Sequence, residues 1–202
     1  MQARAQKTQS RILASATMLF AKHGLNGTTV DEISAAAQVN KQRIYAYFGS
    51  KNKLFEAALL DVFERVELFS QKTLTAAKRR PECLTEIVVS GFLKVHALHP
   101  DFWRLLAWAN LEGPRCTSAL NQVRKKENEQ LRILYEKAVA DGLQRPIRFE
   151  VWLFTLLAVS YFRFSNELTL AHTLGCSDSL PEFEKELSNG LNRLFARENV
   201  EK

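Results

Sequence analysis

Apolar side chains recur along this chain at the three- and four-residue spacing of amphipathic helices, and Gly, Pro and polar residues interrupt the pattern. Few segments alternate in the manner of strands, and the 202 residues include only five Pro and eight Gly. The pattern therefore predicts an all-α protein. Helices are expected over about residues 5–22, 29–37, 41–48, 51–79, 84–98, 101–110, 115–140, 150–172 and from 179 onward.

The second and third predicted helices are short and are separated by a very tight turn. The earlier one opens with a capping box, in which Thr29 and Glu32 would satisfy each other's backbone N–H groups. Asn40, a favoured N-cap residue, precedes the other helix, whose first residues carry long hydrogen-bond donors. Such donors at a helix N-terminus suit the reading of base edges in the major groove. The pattern is typical of a helix-turn-helix motif, with an ordinary surface helical hairpin as the alternative.

The charge distribution favours the DNA-binding interpretation. Residues 1–53 contain eight Lys or Arg and two acidic side chains, whereas the rest of the chain contains twenty of each. The whole formal charge of +6 therefore lies on the segment with the predicted helix-turn-helix. Basic charge segregates in this way in nucleic-acid-binding modules, whereas it is usually spread over a solvated surface.

Residues 8–58 resemble the N-terminal signature of the TetR family of bacterial transcriptional regulators. The matching positions are Arg11-Ile12-Leu13, Ala16, Leu19-Phe20, Gly24, Thr28-Thr29, Ile33, Ala36-Ala37, Val39, Tyr45, Tyr47-Phe48, Ser50-Lys51 and Leu54. Two features depart from the family pattern: Gln38 replaces the usual turn glycine, and Gln42 and Arg43 stand where small residues are common. The operator sequence therefore cannot be borrowed from a relative.

The resemblance implies nine helices in two domains. An N-terminal three-helix DNA-binding domain is expected over residues 1–53, with its helix-turn-helix at 29–48. A C-terminal six-helix ligand-binding and dimerisation domain is expected over residues 54–202. The implied function is that of a homodimeric repressor, released from a palindromic double-stranded operator by a small, largely apolar or aromatic effector.

Several residue roles follow for DNA binding. Arg43 is predicted to contact a guanine and Gln42 an adenine or a phosphate, while Tyr45, Tyr47 and Lys51 are predicted to contact phosphates. A cation such as Lys51 is unfavourable in the first turn of a helix unless an anion lies nearby. The complete predicted DNA-binding set is Thr29, Asn40, Lys41, Gln42, Arg43, Tyr45, Tyr47 and Lys51.

The apolar helix over 150–172 is hydrophobic on more than one side, and part of it is expected to face a second subunit together with the last helix. Aromatic residues with embedded polar groups are the candidates for a ligand site, although aromatics at helical spacing are more often core. Arg163 and Glu167 could instead simply pair with each other. The helix from Ser50 to about Thr73 is the expected lever between the two domains. The predicted ligand-binding residues are Phe92, His96, Trp103, Trp108, Asn110, Trp152, Tyr161, Phe162, Arg163 and Asn166.

Other classes of function find little support in the sequence. It contains no Gly-rich phosphate loop and no GxSxG, HExxH or EF-hand pattern, so no enzymatic activity and no cofactor are expected. His96 and His99 lack the further ligands of a metal site, and Cys83, Cys116 and Cys176 are scattered. The N-terminus does not resemble a signal peptide, and the most apolar run is too short to span a bilayer, so a cytoplasmic protein is expected. The remaining alternative is a helical small-molecule-binding or protein-interaction module with an incidentally basic end.

Overall fold

The computed structural model describes residues 2–113, 117, 120–174 and 180–197. Those residues form ten α-helices and one 3-10 helix at Pro81–Cys83, which confirms the all-α fold class. The α-helices are α1 Gln2–Gly27, α2 Val30–Ala37, α3 Lys41–Phe48, α4 Lys51–Arg79, α5 Leu84–Leu98, α6 Pro100–Glu112, α7 Asn121–Ala140, α8 Phe149–Ser165, α9 Glu167–Leu174 and α10 Leu180–Phe195.

The chain divides into two compact units. Unit 1 contains Met1–Arg65 and His99–Val123, and unit 2 contains Val66–Leu98 and Arg124–Lys202. The long helix α4 thus begins in unit 1 and ends in unit 2. Unit 1 is discontinuous in sequence, because α6 belongs to it while α5 does not. The predicted domain boundary between residues 53 and 54 stays a prediction.

The core of unit 1 is formed by α1 to α4 and α6. Ile12, Ala16 and Phe20 occupy one face of α1 at helical spacing and are fully buried. The Phe20 ring meets the Phe55 ring of α4 edge-to-face, with centroids 5.1 Å apart. From α2 and α3 the buried residues are Ile33, Ala37 and Ile44. Ala36, which belongs to the family signature together with Ala37, is exposed.

Gly24 interrupts α1 at the predicted position. Its backbone has φ 72° and ψ −180°, a combination that residues with a Cβ rarely adopt. The Trp108 ring of α6 also packs directly against it, because a Cβ at this position would lie 2.6 Å from that ring. Glycine is therefore required here both by the backbone conformation and by the approach of α6.

The core of unit 2 surrounds Trp152 of α8, which is completely buried. Its ring stacks on Tyr135 of α7 with centroids 4.6 Å apart. The Trp152 Nε1–H donates to Thr85 Oγ1 at 3.0 Å, and the Thr85 hydroxyl donates to Gln144 Oε1 at 3.0 Å. This chain of hydrogen bonds gives partners to polar groups that burial would otherwise leave unsatisfied.

The helix predicted over 150–172 is in fact two helices, α8 and α9. Asn166 ends α8 with φ −122° and ψ 23°, and its side-chain amide donates to Ser165 Oγ at 2.8 Å. Asparagine side chains compete with helical hydrogen bonding in this way, without the Gly or Pro that usually signals a helix end. Thr173, which was predicted to begin a loop, lies within α9.

Other boundaries differ at the ends of elements. The first helix begins at Gln2 rather than near residue 5. The predicted start of the seventh helix at Arg115 and the predicted N-cap Ser179 both lie outside the described residues.

Candidate nucleic-acid interface and internal cavity

The start of α2 has the predicted capping box. The Glu32 N–H donates to Thr29 Oγ1 at 3.2 Å, and the Thr29 N–H donates to Glu32 Oε2 at 2.7 Å. Hydrogen bonds from the Thr29 backbone and hydroxyl hold the pKa of the Glu32 carboxyl below its ordinary value. Both the backbone N–H and the hydroxyl of Thr29 therefore stabilise the first turn of α2.

The turn between α2 and α3 is held by backbone and side-chain contacts. Gln38 adopts the left-handed conformation, with φ 50° and ψ 49°, at the position where the family usually has glycine. The Ser34 hydroxyl donates to Val39 O at 2.6 Å, and Arg11 of α1 donates through Nη2 to Gln38 O at 3.4 Å. These contacts fix the angle between the two helices despite the unfavourable backbone of Gln38.

Asn40 caps α3 as predicted, since the Arg43 N–H donates to Asn40 Oδ1 at 2.9 Å. Ile44 is the one side chain of α3 that is buried, and it anchors the helix to the core of unit 1. Lys41, Gln42, Arg43 and Tyr45 are exposed around the N-terminal part of the helix, and Tyr47 is half-buried. A short helix fixed by one apolar residue thus presents several long polar side chains to solvent.

Lys41 forms an ion pair with Asp31 of α2 at 2.5 Å, and both side chains are largely exposed. An exposed pair of this kind contributes little to stability. Lys41 can therefore exchange this partner for a phosphate at small cost.

Lys51, in the first turn of α4, donates through Nζ to Thr28 O at 2.9 Å. This bond ties the start of α4 to the segment that precedes α2. It explains how a cation is accommodated at a helix N-terminus, because a carbonyl oxygen partly offsets the helix dipole. The contacts of Lys51 and Arg11 with backbone carbonyls were missed by the sequence reasoning, which carries no signal for partners this distant along the chain.

The predicted ligand-binding residues are divided between the two units. Trp103, Trp108 and Asn110 lie on α6 in unit 1, and the Asn110 side chain donates to Leu106 O of its own helix. In unit 2, Trp152 is core, Phe162 is 53% exposed, and Asn166 ends α8. The structure brings together His96 with Tyr161 and Phe164, whose rings lie within 6.2 Å of the imidazole.

His96 is buried, and burial lowers the pKa of its imidazole to about 4. The imidazole is therefore neutral at physiological pH. Arg163 is also buried, and it lies 3.9 Å from Glu167 and 3.8 Å from Glu184, so the predicted pairing with Glu167 is present. Partial burial raises the pKa of the Glu184 carboxyl, while the nearby Arg163 opposes that shift.

A small cavity of about 70 Å³ lies between α4, α5 and α7 in unit 2. Phe92 is the one predicted ligand-binding residue among its lining side chains. Gly91 of α5 packs against Thr73 of α4, because a Cβ on Gly91 would lie 2.5 Å from the Thr73 hydroxyl. The residues missed by the sequence reasoning are Ser70, Thr73, Leu74, Val88, Gly91, Val95, Asn128 and Leu131. The available signal was Thr73, a polar residue that follows Val66 and Phe69 at the apolar spacing of α4.

Apolar side chains remain exposed along one face of α8. Phe154 is 70% exposed and Phe162 53%, and Val151 and Leu157, which precede and follow Phe154 by three residues, are also exposed. On α10, Leu194 and Phe183 are also exposed. Contiguous exposed apolar side chains of this size mark interaction surfaces rather than ordinary solvated faces.

The described part of the chain contains no group of three or more His, Cys, Asp or Glu side chains arranged to hold a metal ion. Burial raises the pKa of the Cys83 thiol, while Cys116 and Cys176 lie outside the described residues. No helix among the described residues is long and apolar enough to cross a membrane.

A capped helix-turn-helix with exposed donors, joined to a larger helical bundle, defines a helical DNA-binding regulator. Two family models match the chain: "Bacterial regulatory proteins, tetR family" over residues 12–58, and "Tetracyclin repressor-like, C-terminal domain" over residues 81–191. The chain belongs to the TetR family of bacterial transcriptional regulators. The alternative of a binding module with an incidentally basic end is therefore set aside.

Curated relatives agree with this assignment. The HTH-type transcriptional repressor SCO4008 of Streptomyces coelicolor is 33% identical over 144 residues, which are 70% of this chain and 68% of that protein. The HTH-type transcriptional repressor NicS of Pseudomonas putida is 30% identical over 174 residues, covering 84% and 82% of the two chains.

Solved structures show the same fold. SCO4942 from Streptomyces coelicolor superposes with a TM-score of 0.69 at 26% identity, over 95% of this chain and 99% of that one. PfmR from Thermus thermophilus superposes with a TM-score of 0.71 at 18% identity, over 91% and 94% of the two chains.

Proposed function

We propose that this regulator is a cytoplasmic homodimeric repressor that binds a palindromic operator and is released by a small, largely apolar or aromatic effector. Repression is supported by the two relatives that are named as repressors. DNA binding is supported above all by the N-terminal half of α3. There, long side chains with hydrogen-bond donors are exposed, and Ile44 is the one buried side chain of the helix.

Within this proposal the predicted DNA-binding residues either contact the DNA directly or hold the helices that do so. Arg43 reads a guanine and Gln42 reads an adenine or contacts a phosphate, because their side chains match those base edges in the major groove. Lys41, Tyr45, Tyr47 and Lys51 contact the phosphate backbone and fix the register. Thr29 and Asn40 act indirectly, since their side chains hold the first turns of α2 and α3 in place.

Dimerisation is supported by the exposed apolar faces of α8 and α10. A two-fold axis would pair each face with its copy, as isologous interfaces require. Burial of Phe154 and Phe162 would then supply part of the hydrophobic driving force. Two subunits related in this way read two half-sites, which makes the operator palindromic.

The cavity of unit 2 suggests how an effector would act. Its volume of about 70 Å³ is far below the roughly 300–1,000 Å³ of occupied ligand pockets. An effector of that size can therefore occupy this cavity only if α4, α5 and α7 separate. Helix α4 continues without a break from Lys51 to Arg79. A displacement of its part in unit 2 would therefore also move its part in unit 1. A coupling of about 1–3 kcal/mol is the usual size of such effects.

The first experiment tests DNA binding. A duplex is selected from a random library, and its affinity and that of unselected duplex are measured by fluorescence anisotropy at several salt concentrations. The logarithm of the affinity should fall steeply with the logarithm of the salt concentration, and Lys51→Ala should lower that slope by about one unit. Equal affinity for selected and unselected duplex would refute sequence-specific binding, and an unchanged slope would refute a phosphate contact by Lys51.

The second experiment tests the switch by its reciprocity. Apolar and aromatic compounds that weaken operator binding are titrated by tryptophan fluorescence, with and without the selected duplex. The factor by which a compound lowers the DNA affinity must equal the factor by which DNA lowers the affinity for that compound. Identical compound affinity in both titrations would contradict this mechanism.

A further inference from the structure

Unit 1 contains a second and much larger concavity. It is a surface groove of about 600 Å³ whose walls are α1, the Asp61–Arg65 stretch of α4 and the start of α6. Its volume lies within the range of small-molecule sites. All of its lining residues belong to unit 1, so the groove is separate from the cavity in unit 2.

Helix α1 presents two apolar faces, and only one of them is used by the core. Ile12, Ala16 and Phe20 are buried, whereas Leu13 and Met18 line the groove. Met18 is 58% exposed. The groove therefore offers an apolar wall that a ligand of matching character can cover.

The floor of the groove contains a buried hydroxyl. Thr17 is only 4% exposed, and its Oγ1 has no hydrogen-bond partner. Other helical threonines behave differently: Thr8, Thr75 and Thr155 each donate to the carbonyl four residues earlier. A buried polar group without a partner costs free energy, and rotation of the Thr17 side chain towards the groove would let a polar atom of a bound molecule remove that cost.

Ion pairs among the described residues involve some, but not all, of the charged side chains that line the groove. Arg65 binds both carboxylates, with Nε 3.1 Å from Asp61 Oδ2 and Nη2 2.6 Å from Asp101 Oδ2. Two further cations, Lys22 and Arg104, line the same groove, and the ion pairs of the described residues give neither of them a carboxylate. The groove thus has an excess of positive charge beside an apolar wall.

We propose that this groove is a binding site for a small amphipathic acid. The apolar body lies along Leu13 and Met18, the carboxylate is held by Lys22 and Arg104, and the Thr17 hydroxyl bonds a polar atom of the ligand. A carboxylate is favoured over an amine or an alcohol, because the three cations that line the groove, Lys22, Arg65 and Arg104, outnumber its two carboxylates.

The test uses the fact that the chain has two methionines, Met1 and Met18. In protein labelled with [ε-¹³C]methionine, sodium decanoate is titrated below its micellar concentration, without DNA. The Met18 methyl signal, identified by Met18→Leu, should shift saturably. Decanol and decylammonium, which carry the same chain, should bind at least about 5-fold more weakly, consistent with a charge-assisted contact. An unmoved Met18 signal, or equal shifts with all three probes, overturns the proposal.

Variants locate the contacts. Lys22→Gln and Arg104→Gln should each weaken decanoate binding at least about 5-fold, while Lys72→Gln, an exposed lysine in unit 2, should leave it unchanged. Thr17→Val should raise the thermal stability of the free protein and still weaken decanoate binding about 2- to 10-fold, because it removes an unsatisfied hydroxyl that the ligand would satisfy. Unchanged affinity in both charge variants overturns the assignment of the carboxylate site.

Discussion

The α2–α3 pair and the core of unit 2 are stabilised in different ways. In α2–α3, each helix is eight residues long, and contacts between residues three to five positions apart define its ends. Around Trp152, Thr85 lies 67 residues from Trp152 and 59 residues from Gln144 along the chain, and Tyr135 comes from another helix. The difference shows that the ends of α2 and α3, which carry the proposed DNA-binding side chains, are specified mainly by local contacts, whereas the core of unit 2 is specified by long-range packing.

The largest loss of stability is expected from a substitution in the core of unit 2. Trp152→Ala should lower the free energy of unfolding by about 3–5 kcal/mol, because it leaves a cavity and removes the donor to Thr85. Urea unfolding followed by circular dichroism at fixed protein concentration measures this. Ile133→Ala, at a 58% exposed position of α7, is the matched control and should change stability by less than about 0.5 kcal/mol. Similar losses in both variants would contradict the description of this core.

The stability of unit 2 should also depend on pH, because His96 is buried there. Since burial lowers the pKa of His96 to about 4, the unfolded chain binds a proton below about pH 6.5 while the folded protein does not. Stability is therefore complete above the unfolded pKa and falls as the pH is lowered towards 4. Between pH 7 and pH 5 the loss should be about 2 kcal/mol. His96→Gln should remove this part of the pH dependence, and an equal pH dependence in both proteins would refute it.

At the proposed DNA-binding residues of α3, we expect a substitution to change DNA binding rather than stability. Arg43→Ala should cost about 1–3 kcal/mol of affinity for the selected duplex and relax the preference at one base pair. Arg43→Lys keeps the charge but loses the bidentate geometry, so it should retain non-specific binding without restoring that preference. Should Arg43→Ala weaken selected and unselected duplex equally, the side chain contacts a phosphate instead.

The smallest effect concerns the turn. Gln38→Gly should stabilise the protein by up to about 1 kcal/mol, because glycine adopts φ 50° without a steric cost, although it also gains freedom when unfolded. Asn40→Ala, two positions later, should instead destabilise by about 1 kcal/mol through loss of its cap. Thermal unfolding of the two variants measures the difference. If Gln38→Gly is the more destabilising of the two, the turn is not strained.

The same contrast explains what could be predicted from the sequence. The capping box at Thr29 and the cap at Asn40 depend on residues three positions away, and both are present in the structure. The end of α8 at Asn166 was missed, because its apolar periodicity continues on both sides. The position of Trp152 in the core, rather than beside the cavity, depends on residues of other helices that no local pattern specifies.

The break at Gly24 has a consequence for building hybrid regulators. The Trp108 ring covers that break, and the Glu112 carboxylate accepts from Asn26 N at 3.3 Å and from Asn26 Nδ2 at 2.6 Å. A chimera joined after residue 53 or 65 would replace α6 and leave the end of α1 facing a foreign partner. If α3 reads DNA as proposed, specificity should be exchanged by transplanting the side chains of α3 alone, or by carrying α6 together with the first sixty-five residues.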